Sequence, residues 1–434
     1  MKSVIPLDRL RFLINRFRTR LWVRPLVVCL LSMAAVFIAK LADGTALGKH
    51  APTIALESVE ALLSVMASSM LVIATFSVGS MISAYASASN TATPRSFSLV
   101  LSDDVSKNAL STFVGAFIFS VVALTAFKND YVEKAGLFIL FALTVIVFAM
   151  VVVTFVCWVD SIARLGRLGS TIEKVESAAL EALKRRRKAP TLGAVVKEKS
   201  KTNGEAVYAS SIGYVQYIDI AAIQTWAEKN DAKVVVEALA GTFVTPDRTL
   251  AYVYTGSGAK SNVAYECVSQ WFHIGQERLF EDDPRFGLVV LSEIASRALS
   301  PAVNDPGTAI SIIGTMTRLF ALWNEPAKEE NDKSPEYDRV YVAQLSTHDM
   351  FEDAFLAIGR DGAGLVEVSL RLQKALASLA AIGDAEMKDA AIYHGQLAFK
   401  RARHALTIDE DIAAVRDAAS FAKPTPSAAT MEGR

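Results

Sequence analysis

The chain has 434 residues, 52% of them hydrophobic, with 45 Lys and Arg matched by 45 Asp and Glu. A mean hydropathy of +0.31 is high for a soluble protein of this length. The zero formal net charge gives no general attraction to nucleic acid.

The first 24 residues carry seven basic side chains, Lys2, Arg9, Arg11, Arg16, Arg18, Arg20 and Arg24, against one Asp. This basic arm abuts an apolar stretch without a small-residue cleavage pattern, which predicts a retained signal anchor drawn to anionic lipid headgroups. Four apolar segments follow, at 22–41, 59–84, 109–127 and 136–159. Each approaches the ~20 residues that a helix rising ~1.5 Å per residue needs to cross ~30 Å of hydrocarbon. The expectation is an integral membrane α-helical protein with four transmembrane helices over 22–159. Lys40 sits where it can snorkel, and Trp22 and Trp158 sit where an indole favours the interface. The loop after the first segment carries only Lys49, and the one after the third only Lys128 and Lys134. The positive-inside rule then places both termini in the cytoplasm.

In the second segment Ser64, Ser68, Thr75, Gly79, Ser83 and Ser87 recur at spacings of four or seven and so share one helical face. Such a face lets neighbouring helices approach closely, or lines a water-filled path where hydroxyls replace part of an ion's hydration. No Asp, Glu, Lys or Arg lies at mid-membrane in any segment, which argues against a proton relay. Glu57 and Glu60 begin the segment, where they could attract cations or simply suit the helix dipole.

Residues 160–190 read as a helical linker. Gly166 and Gly169 weaken it, Ser170 and Glu173 have capping-box spacing, and Ile172, Val175, Ala179 and Leu183 make one apolar stripe. The run KRRRK at 184–188 reads as a solvated helix end. From 191 to 260 the expectation is a small α/β or β-rich module. Strands are expected in ASSIGYVQYID, AKVVVEALAG and TLAYVY, with a helix in IAAIQTWAEKN. From 261 to 420 the character is mainly helical. Asp283-Pro284 and Asp305-Pro306 are each a helix start, with Asp as N-cap and Pro at the first helical position. Residues 364–420 read as helical, LVEVSLRLQKALASLAAIG and AEMKDAAIYHGQLAFKRARHAL forming a hairpin; Thr407 and Glu410 repeat the capping-box spacing, and 421–434 reads as a disordered tail. The region past the membrane segments is thus a mixed α/β cytoplasmic domain with a helical C-terminal part.

SRALSPAVNDPG at 296–307 is the end of one helix, a corner and the capped start of the next. Capping leaves Arg297 and Asn304 unexplained, together with Glu277, Arg278, Asp283 and Arg285 in GQERLFEDDPRFG. With Asp305 they form either a polar network that holds the corner or a ligand site. GQERLFEDDPRFG and LSEIASRALSPAVNDPGTA resemble the signature of a large bacterial family of predicted membrane proteins classed as a domain of unknown function. The likeness extends through ATPRSF, GYVQYID and GTFV. Glu277, Arg278, Asp283, Phe286, Gly287, Arg297, Ser300, Pro301, Asn304, Asp305 and Pro306 fall on its pattern. Leu279, Asp282 and Gly307 depart from it, so the resemblance implies no ligand contact by those three. It implies several N-terminal spans with a cytoplasmic domain in the bacterial inner membrane, and it carries no activity.

Enzyme chemistry finds only weak support in the sequence. His50, His273, His348, His394 and His404 are scattered, and no Gly-x-Ser-x-Gly or Walker pattern occurs. YTGSGAKSN at 254–262 has glycines and a Lys but lacks the GK[ST] ending, and reads as a loop. Cys29 and Cys157 lie in predicted spans and Cys267 beyond them, so neither a disulfide framework nor a cysteine metal site is implied. No cofactor or metal is expected, and the partners expected are membrane lipids, copies of the same chain and an unidentified cytoplasmic partner or ligand. Two functions remain open: an oligomeric channel or solute pathway gated by the cytoplasmic domain, and a membrane-anchored scaffold or sensor.

Overall fold

The computed structural model describes residues 23–41, 55–91, 93–101, 104–129, 131–164, 167–197, 204–255, 265–325 and 335–422. Residues 1–22 of the basic arm, Gly166, most of the YTGSGAKSN loop and the tail from 423 lie outside them. The chain divides into two units, residues 1–171 and 172–434.

The first unit is helical: α1 (Val23–Leu41), α2 (Leu56–Thr91), a 3-10 turn (Pro94–Ser96), α3 (Phe97–Leu101), α4 (Asp104–Lys128) and α5 (Lys134–Arg164). Among the described residues three stretches are long and apolar enough to cross a membrane: Glu57–Ser87, Val105–Lys128 and Ala135–Arg164. The fourth, Pro25–Leu41, is a shorter apolar helix. The packing runs in three layers. In the first, Val36 and Ala39 near the end of α1 meet Val59 and Leu63 near the start of α2, Phe119 and Ala123 late in α4, and Leu140 early in α5. The second gathers Met66, Met70, Ala74, Phe113, Val151 and Trp158, and the third gathers Met81, Ala84, Tyr85 and Val100. Successive long helices therefore run antiparallel. At the first layer's end Lys128 pairs with Glu60 at 3.0 Å, and Lys40 lies over the Tyr131 ring, 5.3 Å from its centroid.

Helices α1 and α4 come closest at Gly115, where a β-carbon would overlap the Val28 side chain. The Ser32 hydroxyl reaches the Gly115 carbonyl at 3.1 Å across this contact. Glycine is needed there because only a bare α-carbon admits the Val28 methyl. The expectation that Trp158 sits at the interface is overturned. It is 1% exposed, packed edge-on against Phe76 and Phe113, and its indole N–H has no hydrogen-bond partner. Helix α5 continues past it to Arg164, which leaves Trp158 inside the bundle.

The second unit begins with most of α6 (Leu168–Lys188). Ile172, Val175, Ala179 and Leu183 are all buried, as their stripe predicts. The helix starts at Leu168, so Ser170 lies within its first turn instead of capping it. Among the described residues eight strands follow: β1 (Ala194–Val196), β2 (Glu205–Tyr208), β3 (Gly213–Ile218), β4 (Ala232–Val236), β5 (Phe243–Val244), β6 (Thr249–Thr255), β7 (Phe272–Gly275) and β8 (Tyr337–Val342). Helix α7 (Ile220–Lys229) joins β3 to β4, capped by the Asp219 side chain on the Ala222 amide. A five-stranded mixed sheet has the order β1-β8-β4-β6-β2, and a three-stranded antiparallel sheet the order β5-β3-β7. Strand β8 lies parallel between β1 and β4, so the sheet draws one of its inner strands from far along the helical part.

Helices α8 (Pro284–Ala298), α9 (Pro306–Trp323), α10 (Thr347–Asp361), α11 (Val366–Ile382), α12 (Ala385–Ala405) and α13 (Asp409–Ala418) complete the unit. Both Asp-Pro pairs act as predicted: Asp283 accepts from the Arg285 amide and Asp305 from the Thr308 amide, each followed by proline. At α13 the Thr407–Glu410 capping box does not form. The N-cap is Ile408, without a side-chain cap.

Candidate functional site

Two groups of residues carry the functional candidates, one in each unit. In the first, Ser64, Ser68, Thr75, Gly79, Ser83 and Ser87 are all exposed on α2, because Leu63, Met66, Met70, Ala74 and Met81 turn the opposite face into the bundle. A β-carbon at Gly79 would meet nothing within 4 Å. No helix among the described residues of this chain packs on the stripe. Ser68 donates to the Ser64 carbonyl at 2.9 Å and Thr75 to the Leu71 carbonyl at 2.9 Å. Donation back to the preceding turn satisfies each hydroxyl proton in an apolar setting and leaves oxygen lone pairs facing outward. The same exposed surface carries Val65, Val72, Phe76 and Ile82.

In the second unit the polar centre is Asp283, 2% exposed. Its Oδ2 accepts from the Arg278 Nε at 2.6 Å and its Oδ1 from the Arg285 amide at 3.2 Å. The Arg278 guanidinium also lies over the Phe286 ring at 5.2 Å. Burial pushes the Asp283 carboxyl up from the usual carboxylate range, against the opposing pull of Arg278. Arg285 turns the other way and pairs with Asp353 at 2.6 Å and Asp349 at 2.9 Å on α10. Glu277 is exposed and contributes its backbone carbonyl to the Gln216 amide at 2.7 Å.

Arg297, Asn304 and Asp305 do not join this cluster. They lie around the far end of α8, whose 15 residues separate the two ends by ~22 Å at ~1.5 Å per residue. Asn304 adopts a left-handed conformation with φ +49°, and its amide reaches the Ser300 carbonyl at 2.8 Å. The Asp305 amide returns to the Ala298 carbonyl at 2.8 Å. Asp305 also accepts from the Thr308 hydroxyl at 2.6 Å, and that bond holds its carboxyl below the usual range. The single network expected from the sequence is therefore two separate devices. One is a buried ion pair where α8 begins; the other is a hydrogen-bonded corner between α8 and α9.

The sequence reading missed Arg186. KRRRK is not a solvated helix end: Arg186 is 6% exposed and donates to the Ala343 carbonyl at 3.3 Å. Arg185 donates to the Glu281 carbonyl, and Arg187 to the Leu322 carbonyl. Burial pushes the Arg186 guanidinium down to about 10, opposed by the Asp283 charge. Also missed is the approach of His348 to His394, whose ring centroids are 5.7 Å apart. His394 is 3% exposed, and its Nε2 has no hydrogen-bond partner. Among the described residues no group of three or more His, Cys, Asp or Glu could hold a metal ion.

Known proteins supply a class without an activity. A family model described as "Predicted membrane protein (DUF2254)" matches residues 18–378. Uncharacterized proteins of Mycobacterium tuberculosis (strain CDC 1551 / Oshkosh) and Mycobacterium bovis (strain ATCC BAA-935 / AF2122/97) are each 36% identical over 104 residues, 23% of this chain and 20% of theirs. The match thus spans about a fifth of those curated relatives' length. No solved structure matches the chain. With the family model covering most of its length, the chain belongs to the DUF2254 family of predicted membrane proteins.

Proposed function

We propose that the protein is an oligomeric channel or solute pathway of the bacterial inner membrane, with four spans per chain and both termini in the cytoplasm. The exposed α2 faces of several copies surround the path, and the second unit gates it through a joint near Gly169. One observation carries this reading: all six small or hydroxylated residues of the α2 stripe face away from their own bundle. Intrachain packing, the simplest use of such a stripe, does not account for it. Outward lone pairs on Ser68 and Thr75 suit a hydrated solute. Glu60 is engaged with Lys128 and so is not a free cation-attracting charge at this end.

A second reading, a membrane-anchored scaffold or sensor that binds a cytoplasmic partner, is favoured by Val65, Val72, Phe76 and Ile82 on the same surface. Those side chains suit a dry contact between copies. Labelling separates the two: in a cysteine-free background, Thr75→Cys reacts with a membrane-impermeant thiol reagent if the face is wet. It stays unlabelled if the face is packed solid or turned to lipid.

A further inference from the structure

We infer that Val72 is the constriction at which the proposed path closes: at midspan the Val72 side chains of neighbouring copies meet and exclude water. This deepens the reading of α2 as a path lining and rests on it. The stripe steps along α2 by four residues except between Ser68 and Thr75, where it steps by seven. Val72 stands in that gap, four residues past Ser68 and three before Thr75, so it shares their helical face. It is the one position of the repeating pattern that is neither small nor hydroxylated. At 69% it is more exposed than Val65, Phe76 or Ile82. It is also the middle residue of the Glu57–Ser87 span.

The chemistry of the face changes at this level. One turn to either side, Ser68 and Thr75 spend their protons on carbonyls of the preceding turn and keep lone pairs for a hydrated solute. Val72 offers methyl groups alone, and Leu71 beside it is exposed and equally apolar. Water held in a narrow ring of methyls has too few polar partners, so the passage empties there and a solute cannot keep its hydration across it. Phe76 is larger, but it is drawn edge-on against Trp158 of its own bundle, 6.1 Å between ring centroids. Valine is also nearly fixed at χ1 in a helix, so the opening follows the movement of whole helices and not the swing of one side chain. A dry contact at Val72 and wet segments on either side of it coexist on one face.

The test compares full-length wild type, Val72→Ser and Val72→Ile in planar bilayers, with Val153→Ser on an exposed part of α5 as the control. Val72→Ser raises the fraction of time open about tenfold or more, because a valine no longer has to be wetted. Val72→Ile lowers that fraction, and Val153→Ser matches wild type. A second measurement is independent of current. In a cysteine-free background, a membrane-impermeant thiol reagent confined to one side labels Ser64→Cys or Ser83→Cys but not both, and adding Val72→Ser lets it label both. Wild-type currents that Val72→Ser leaves unchanged overturn the gate and leave the path standing, as does a reagent that labels both positions with Val72 in place. Silence from every variant, with neither cysteine labelled from either side, overturns the path and the gate with it.

Discussion

The Asp283 carboxylate lies against the bare α-carbon of Gly241, so closely that a β-carbon there would overlap it. Gly241 has φ +89°, in the region L side chains rarely adopt, and its amide is held by the Val215 carbonyl at 2.8 Å. A turn between strands thereby closes over the buried ion pair that begins α8. Gly241→Ala incurs both the strained φ and the overlap, and should cost more than ~1 kcal/mol. The check is the unfolding midpoint of the purified protein: an unchanged midpoint would mean that the turn does not press on Asp283.

Asp283→Asn keeps a good N-cap but removes the charge that Arg278 contacts at 2.6 Å. Taking away one partner of a buried pair typically costs ~3–5 kcal/mol. Asp305 is the control: Asp305→Asn should be nearly neutral, and Asp305→Ala should cost ~1 kcal/mol, the value of a cap alone. Denaturant titration of the three variants distinguishes the devices. Equal losses for Asp283→Asn and Asp305→Asn would contradict the separation drawn here.

His394 predicts an acid sensitivity. Burial first, then the nearby His348 and Arg401 charges, push its folded-state pKa from 6.5 down to about 4. The unfolded chain therefore binds more protons than the folded one between those values. Stability from this group is complete above about pH 6.5 and is lost as pH falls toward about 4, on the order of 3 kcal/mol in all. His394→Gln should flatten the stability profile across that window. A variant with the wild-type profile would place the titration elsewhere.

At Gly115, replacement by Leu should push α1 away from α4, since even a β-carbon overlaps Val28. The expected result is loss of the Ser32 contact and a lowered melting temperature in detergent, with Gly115→Ala milder than Gly115→Leu. Equal melting temperatures for both variants and wild type would show that the two helices do not rely on this approach.

The elements that could be read from the sequence are those specified by near neighbours. The two Asp-Pro starts are legible because cap and proline act within one turn. Strands β3, β4 and β6 and helix α7 are legible because their periodicity is local. Arg186 is not: its surroundings, the Ala343 carbonyl and Asp283, come from distant parts of the chain, and in sequence it is one more base in KRRRK. The place of β8 between β1 and β4 is hidden for the same reason, since parallel pairing leaves no local mark. Trp158 misleads because an indole near the end of an apolar run looks interfacial until the helix proves longer. The α2 stripe was legible as a face, but which way it turned depended on its neighbours α4 and α5.

That direction makes the α2 face the point on which the functional account turns. The most direct test is the current carried by the purified, full-length protein in a planar bilayer, comparing wild type with Ser68→Leu and Thr75→Leu. The account predicts discrete conductance in wild type that either substitution abolishes or sharply reduces, with folding and insertion unchanged. Wild-type currents that both leucine variants carry undiminished would contradict a path along this face.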